Sequence, residues 1–293
     1  MMQKLLGGVE AGGTKMVCAV AHEPNTVLDE VRFATTGPDE TLARVTDYFQ
    51  QAVEKFGPLD AIGYGTFGPA CITMGDAKYG HILNTPKAGW QGCDVLAGLS
   101  ASFPNAKLSF DTDVNAAAIG EGAFGAARDH KNFIYITVGT GIGGGVIING
   151  KPLHSEPHAE IGHMLVPMVD GELEEFAGSC KFHGCCLEGL ASGTAIGQRW
   201  GGSSRDLSED HVAWDIEARY LAVMVQNLIA CYAPGKIILG GGVMEQCGLL
   251  GKIKTELAAR IGDYWQLADD LLVLPQLGNQ AGITGALLMA STA

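Results

Sequence analysis

The chain has 293 residues, 47% of them hydrophobic and 17% charged, enough to bury one large core or two moderate ones. A net charge of −13 with no run of Lys or Arg repels a phosphate backbone and argues against nucleic-acid binding. No apolar stretch reaches the roughly 18 residues of a membrane span, and the opening MMQKLLGGVEAGGTK is broken by Gly7, Gly8 and Glu10 too early for a secretory signal, so a cytoplasmic chain with eight reduced cysteines is expected.

In chain order, residues 4–20 (KLLGGVEAGGTKMVCAV) read as strand, glycine turn, strand, and 27–35 as a third strand, from alternation and β-branched residues. Residues 39–57 are helical: Leu42, Val45, Phe49, Val53 and Phe56 recur at spacings of three and four, with Asp39 as candidate N-cap and Gly57-Pro58 as the stop. Residues 59–68 form a buried strand, and 105–125 strand, turn and Ala-rich helix. The pattern then restarts. Residues 132–150 are again strand, glycine turn, strand; 208–234 form a long amphipathic helix; 236–244 form a buried strand ending in three glycines; 271–275 are short and apolar; 281–291 are helical. The repetition predicts two related α/β halves: a smaller lobe of 1–115 plus the C-terminal helix 281–293, and a larger one of 116–280.

Forty-two glycines are about twice the usual share of ~7%, and they cluster in turns rather than in linker. The turn Gly7–Lys15 has Thr14-Lys15 where a P-loop has Lys before Ser/Thr, and a strand follows it where a P-loop has a helix, so it is not one. It is either a plain hairpin or a phosphate cradle of backbone N–H groups with a hydroxyl and an ammonium. Gly139-Thr140-Gly141-Ile142-Gly143-Gly144 matches G-x-G-x-x-G but opens a strand, which counts against a dinucleotide fold and a nicotinamide oxidoreductase. Two such hairpins could grip one polyphosphate from opposite sides. Gly240-Gly241-Gly242, after a buried strand, leaves room for a flat group near the backbone or is a simple strand-to-helix turn. In SCKFHGCCLEG (179–189), Cys180, His183 and Cys186 sit three apart, a spacing that offers three N/S ligands from one tight loop to a metal such as zinc.

Taken together and in order, EAGGTK, TPKAGW (85–90), DTDVNAAAIGE (111–121), VGTGIGGG (138–145), HAEIGHM (158–164), CKFHGCCLEG (180–189) and LGGGV (239–243) resemble the ROK family (repressor, open reading frame, kinase) over essentially the whole chain. Within it they resemble the zinc-containing fructokinase group. The resemblance implies a two-lobed actin/hexokinase-like (ribonuclease H-like) α/β fold, duplicated around a central cleft. It implies an ATP-dependent hexose 6-kinase, with D-fructose as the expected substrate, and often a homodimer. The family's repressor branch carries an N-terminal helix-turn-helix; here the first strand begins within a few residues of Met1, so no DNA-binding domain is expected.

Carried over by resemblance, His163 is the fourth metal ligand beside Cys180, His183 and Cys186. The last is preferred to Cys185 because it directly precedes Leu187-Glu188, although the family more often has cysteine where this chain has His183. Four protein ligands would make the zinc structural, pinning the loop of Glu188 to the segment of Glu160. Glu160, Glu188 and His163 would hold sugar hydroxyls. Asp113 would be the catalytic base, with Asp111 a nearby decoy and Asp113 also a possible helix N-cap. Thr112 stands where many relatives have Asn and bears on sugar choice. Gly12, Gly13, Thr14 and Lys15 with Gly139, Thr140 and Gly141 would face the phosphates of ATP, Gly241 and Gly242 the adenosine, and Mg²⁺ would bridge phosphate oxygens. Glu10 replaces an Asp common among relatives. The rivals are a glucokinase, mannokinase or N-acetylhexosamine kinase of the same family, and a non-catalytic sugar sensor.

Overall fold

The computed structural model describes residues 3–155, 158–173 and 175–293. Strand β1 (Leu6–Ala11) turns at residues 12–14 into the antiparallel β2 (Lys15–Glu23), and β3 (Thr26–Ala34) adds antiparallel to β2. Helix α1 (Pro38–Phe56) leads to β4 (Ala61–Thr66), parallel to β1; α2 (Ala97–Ser102) leads to β5 (Lys107–Thr112), parallel to β4; α3 (Asp113–Phe124) follows at once. The sheet order is β3-β2-β1-β4-β5.

The second half repeats this. After β6 (Phe133–Val138), β7 (Ile142–Ile148) and β8 (Lys151–Pro152) come α4 (Leu187–Ala191), α5 (Gly193–Trp200) and α6 (Ala213–Tyr232). Then follow β9 (Lys236–Gly240), α7 (Leu249–Ile261), β10 (Leu272–Val273) and α8 (Ala281–Ser291). The order β10-β9-β6-β7-β8 is the first sheet's order read from the other edge, with β9 parallel to β6 and β10 parallel to β9. The expected duplication is thus present strand for strand.

Alternation explains how the first sheet buries both faces. Along β2, Met16, Cys18 and Val20 enter one apolar cluster with Phe49 and Trp90, while Val17, Ala19 and Ala21 enter another with Ile283 and Leu287 of α8. Helix α1 turns Val45, Phe49 and Ala52 inward; truncating a fully buried Phe such as Phe49 costs about 3–5 kcal/mol. Its N-cap is Gly37, with Pro38 in the first turn, where a missing N–H is harmless; Asp39 lies within that turn and does not cap.

One compact unit comprises Met1–Asp129, Gly145–Ala159 and Leu277–Ala293; the other comprises His130–Gly144 and Glu160–Gln276. The chain leaves the first unit at Asp129 rather than near residue 115 because α3 packs on α8. That packing is backbone-close: a Cβ at Gly285 would lie 1.7 Å from the Ala116 carbonyl oxygen. Three element boundaries also differ from expectation. Strand β9 stops at Gly240, and Gly242–Glu245 form a 3-10 turn. Helix α6 starts at Ala213, because residues 208–212 turn under Trp214, whose indole donates to the Ser208 carbonyl at 2.8 Å. No turn separates β5 from α3.

Candidate functional site

The abrupt β5-to-α3 junction is held by side chains. Thr112, not Asp113, is the N-cap of α3: its hydroxyl accepts from Asn115 N at 3.2 Å. Asp111 is 3% exposed and fully committed. Its Oδ1 accepts from Thr112 N at 2.7 Å and from Asn115 Nδ2 at 2.6 Å, and its Oδ2 meets His154 Nε2 at 2.7 Å. That hydrogen bond raises the His154 pKa, partly offset by burial. Asp113, half-buried, accepts from Val114 N at 2.9 Å and occupies the first turn, where the helix dipole suits an anion. Of the two aspartates, Asp111 therefore works for the fold.

The first glycine turn lies at the end of β1. Gly12 N donates to Lys15 O at 2.9 Å, Thr35 Oγ1 donates to Gly12 O at 2.8 Å, and Thr35 N donates to Thr14 O at 2.9 Å. Gly13, Thr14 and Lys15 are exposed, and a Cβ at Gly13 would meet no atom within 4 Å. Glu10, two residues earlier, receives the Ile283 amide of α8. Burial raises its pKa against the pull of Lys15 and Arg32, and its Oε2 is buried without a hydrogen-bond partner among the described residues.

In the second unit the turn Gly139-Thr140-Gly141 closes on itself, Gly139 N donating to Gly141 O at 2.9 Å. It docks on the start of α5: Gly193 N donates to Gly139 O at 2.7 Å and Thr194 Oγ1 to Thr140 O at 2.7 Å. Glu188 Oε2 accepts from Ile142 N at 2.9 Å and passes Gly141 so closely that a Cβ there would sit 2.5 Å from it. Glu188 thus braces this turn as well as standing beside the thiol loop. Gly241, at φ +91°, lies against Val138 at the neighbouring strand end, which brings the second and third glycine turns side by side.

The thiol loop is a knuckle. Gly184 N donates to Cys180 O at 3.0 Å, Ser179 N to Gly189 O at 2.8 Å, and Leu187 N to Met164 O at 2.9 Å, the last tying the knuckle to the segment of His163. The ligand atoms of His163, Cys180, His183 and Cys186 all lie within 4.8 Å of one another; Cys185 is not in this group. His163 Nδ1 is 3.5 Å from Cys186 Sγ and 3.8 Å from Cys180 Sγ, and Cys180 Sγ is 3.8 Å from His183 Nδ1. Tetrahedral zinc with bonds of about 2.3 Å to sulfur and 2.0–2.1 Å to nitrogen requires N···S edges of about 3.6 Å, so donor set and spacing fit the ion. Burial pushes the Cys186 thiol up to about 11. His163 offers Nδ1 to this cluster, which leaves Nε2 on its other edge. Glu160, just before the 3-10 turn Ile161–His163, is exposed.

Two supports were not anticipated from the sequence. The α5 N-terminus behind the second turn was announced by Ser192-Gly193-Thr194, a capping signature in which Ser192 accepts from Ala195 N at 3.1 Å. Lys87 donates to Gly13 O of the first turn, a contact 74 residues apart in sequence that no local pattern signals.

A duplicated β3-β2-β1-β4-β5 sheet, an aspartate opening the helix after the fifth strand, and glycine turns at the hairpin ends define an α/β protein of the ROK hexokinase-like class. The structure matches ROK hexokinase from Thermus thermophilus with a TM-score of 0.80 over 98% of each chain, at 27% identity. In sequence the chain is 44% identical to a fructokinase of Pediococcus pentosaceus over 291 residues, covering 99% of this chain and 98% of the other. It is 40% identical to a fructokinase of Zymomonas mobilis over 296 residues, again covering 99% and 98%. The ROK family profile matches residues 6–293, and the chain belongs to the ROK family.

Proposed function

We propose that this chain is an ATP-dependent fructokinase, transferring the γ-phosphoryl group to the 6-hydroxyl of D-fructose. The observation that carries this reading is its match, end to end, to fructokinases 40–44% identical to it. The geometry supports a division of labour. Asp113 takes the 6-hydroxyl proton as that oxygen bonds to the γ-phosphorus; the bond from phosphorus to the bridging oxygen breaks, and ADP leaves with the electron pair. Gly12, Gly13, Thr14 and Lys15, and Gly139, Thr140 and Gly141, offer amides, hydroxyls and an ammonium to phosphates, and Gly241 and Gly242 take the adenosine. Thr112, Glu160, His163 and Glu188 hold the sugar, carboxylates being fitted to accept from vicinal hydroxyls.

Mg²⁺ accompanies ATP and supplies charge neutralisation. His163, Cys180, His183 and Cys186 hold a structural zinc, which fixes Glu188 relative to Glu160 before sugar arrives. The protein acts in the cytoplasm as a homodimer; among the described residues no helix is long and apolar enough to cross a membrane. A hexose panel with ATP, scored by kcat/KM through coupled ADP release, tests the reading, with the product ester located by phosphorus NMR. Preference for glucose or mannose, or ester formation away from carbon 6, would overturn it.

A further inference from the structure

The chain carries 19 Lys and Arg against 32 Asp and Glu, so a cation without a carboxylate partner needs a reason. Lys87 is one. Among the described residues its ammonium donates to the Gly13 carbonyl and lies 5.9 Å from the centre of the Phe67 ring; no carboxylate pairs with it. Partial burial lowers its pKa. Such a group is held partly desolvated, and an anion would stabilise it.

Its pedestal is fixed to the glycine turn. Lys87 N donates to Thr85 Oγ1 at 3.3 Å, and Trp90 N to Lys87 O at 3.3 Å. Trp90 is fully buried, donates its indole N–H to Thr36 O at 2.9 Å, and meets Phe67 edge-on at 5.1 Å between ring centres. Phe67 N donates to the carbonyl of Ala11, the residue before Gly12, at 2.7 Å. The same aromatic pair thus positions the lysine and the turn. An ammonium has three donors, and Gly13 O takes one. The space beyond Gly13 is open.

We propose that Lys87 binds the terminal phosphate of ATP at the Gly12–Lys15 turn and stabilises the charge on the group being transferred. This rests on the reading above that the turn receives ATP. Phosphoryl transfer is driven largely by cations placed around the moving group, so Lys87 acts on turnover as well as on binding.

Lys87→Met keeps the apolar stem over Phe67 and removes the charge; Lys87→Arg keeps the charge. Lys87→Met is expected to lower kcat/KM for ATP by about 100-fold, to leave the fructose KM and the melting temperature near those of the parent, and to weaken binding of a non-hydrolysable ATP analogue in calorimetry. Lys87→Arg recovers part of the loss. Unchanged kcat/KM for ATP in Lys87→Met, a loss that tracks a falling melting temperature, or a rise confined to the fructose KM would each overturn the assignment. If the parent protein phosphorylates no hexose, the functional reading fails separately, and the analogue calorimetry on parent and Lys87→Met still decides whether Lys87 holds a triphosphate.

Discussion

On the zinc reading proposed above, removing the metal from the knuckle should destabilise the fold and weaken fructose binding together. The ligand atoms converge within 4.8 Å, and a metal there closes the chain from His163 to Cys186. Loop-closure entropy for a segment of that length is worth about 3 kcal/mol. An unfolding entropy of about 2.1 cal/mol/K per residue, over 293 residues, converts that loss into a fall of about 5 °C in Tm. Fructose affinity should fall with it, because Leu187 N–Met164 O is then the main tie between the Glu188 loop and the His163 segment. The assay is calorimetric melting and fructose binding with and without a chelator, with elemental analysis of the protein. Cys186→Ala should reproduce the chelated state and respond no further to chelator, whereas Cys185→Ala should behave like the parent. Protein free of zinc as purified, or a Cys186→Ala variant that still loses several degrees on chelation, would refute the four-ligand account.

Asp113→Asn retains an oxygen to accept from Val114 N and should keep zinc and fructose binding while kcat falls by about 10²–10⁴; near-parental kcat would remove Asp113 as base. Arg199→Met should cost about 3–5 kcal/mol in denaturant unfolding, because Glu172, 2.7 Å from Arg199 Nε, is left buried without its cation, beside a Glu217 carboxyl whose pKa burial raises; a loss under 1 kcal/mol would contradict it. His154 has a folded pKa raised above its ordinary value of about 6.5 by Asp111, so its contribution is complete below about pH 6.5 and fades as pH rises through the folded value. With the side chain 51% exposed, solvent screening keeps the effect below about 1 kcal/mol. His154→Gln should therefore lose stability relative to the parent at pH 6 and little at pH 9, and a difference that grows with pH would show the sign to be wrong.

Much of this was legible because periodicity and glycine are local signals. The 3.6-residue rhythm of α1 and the two hairpin ends mark both halves of the duplication, and the Cys-x-x-His-x-x-Cys spacing marks the knuckle. The errors fall where competing neighbours or distant contacts decide. Asp39 has the chemistry of a cap, but Gly37 and Pro38 already provide the helix start. Asp113 looked like a cap, yet Thr112 takes the role because Asp111 draws the chain directly from strand into helix. Helix α7, which buries Leu249, Ile253 and Leu257 at four-residue spacing, was not anticipated although its periodicity is local. Helices α4 and α5 are too short for periodicity to show. Lys87 was hidden because its partner is a backbone carbonyl far away in sequence.

The duplication also gives Glu10 a role. In each repeat a helix follows the fifth strand: α3 after β5 and α8 after β10. Helix α3 supplies its own first turn with a hydroxyl cap and a carboxylate, Thr112 and Asp113. Helix α8 begins at Ala281 with no side-chain cap and no acidic residue in its first turn. Its amide at Ile283 is met instead by Glu10 from β1, and Gly282 clears the way, since a Cβ there would lie 2.6 Å from the Glu10 carboxyl carbon. An anion at a helix N-terminus is favourable in either case. The carboxylate at α8 is borrowed from a strand and buried, with its pKa raised, whereas that at α3 belongs to the helix and is only half-buried. On the reading proposed above, the base for the sugar hydroxyl is the half-buried carboxylate that belongs to its own helix start, Asp113, while the buried Glu10 serves the start of α8.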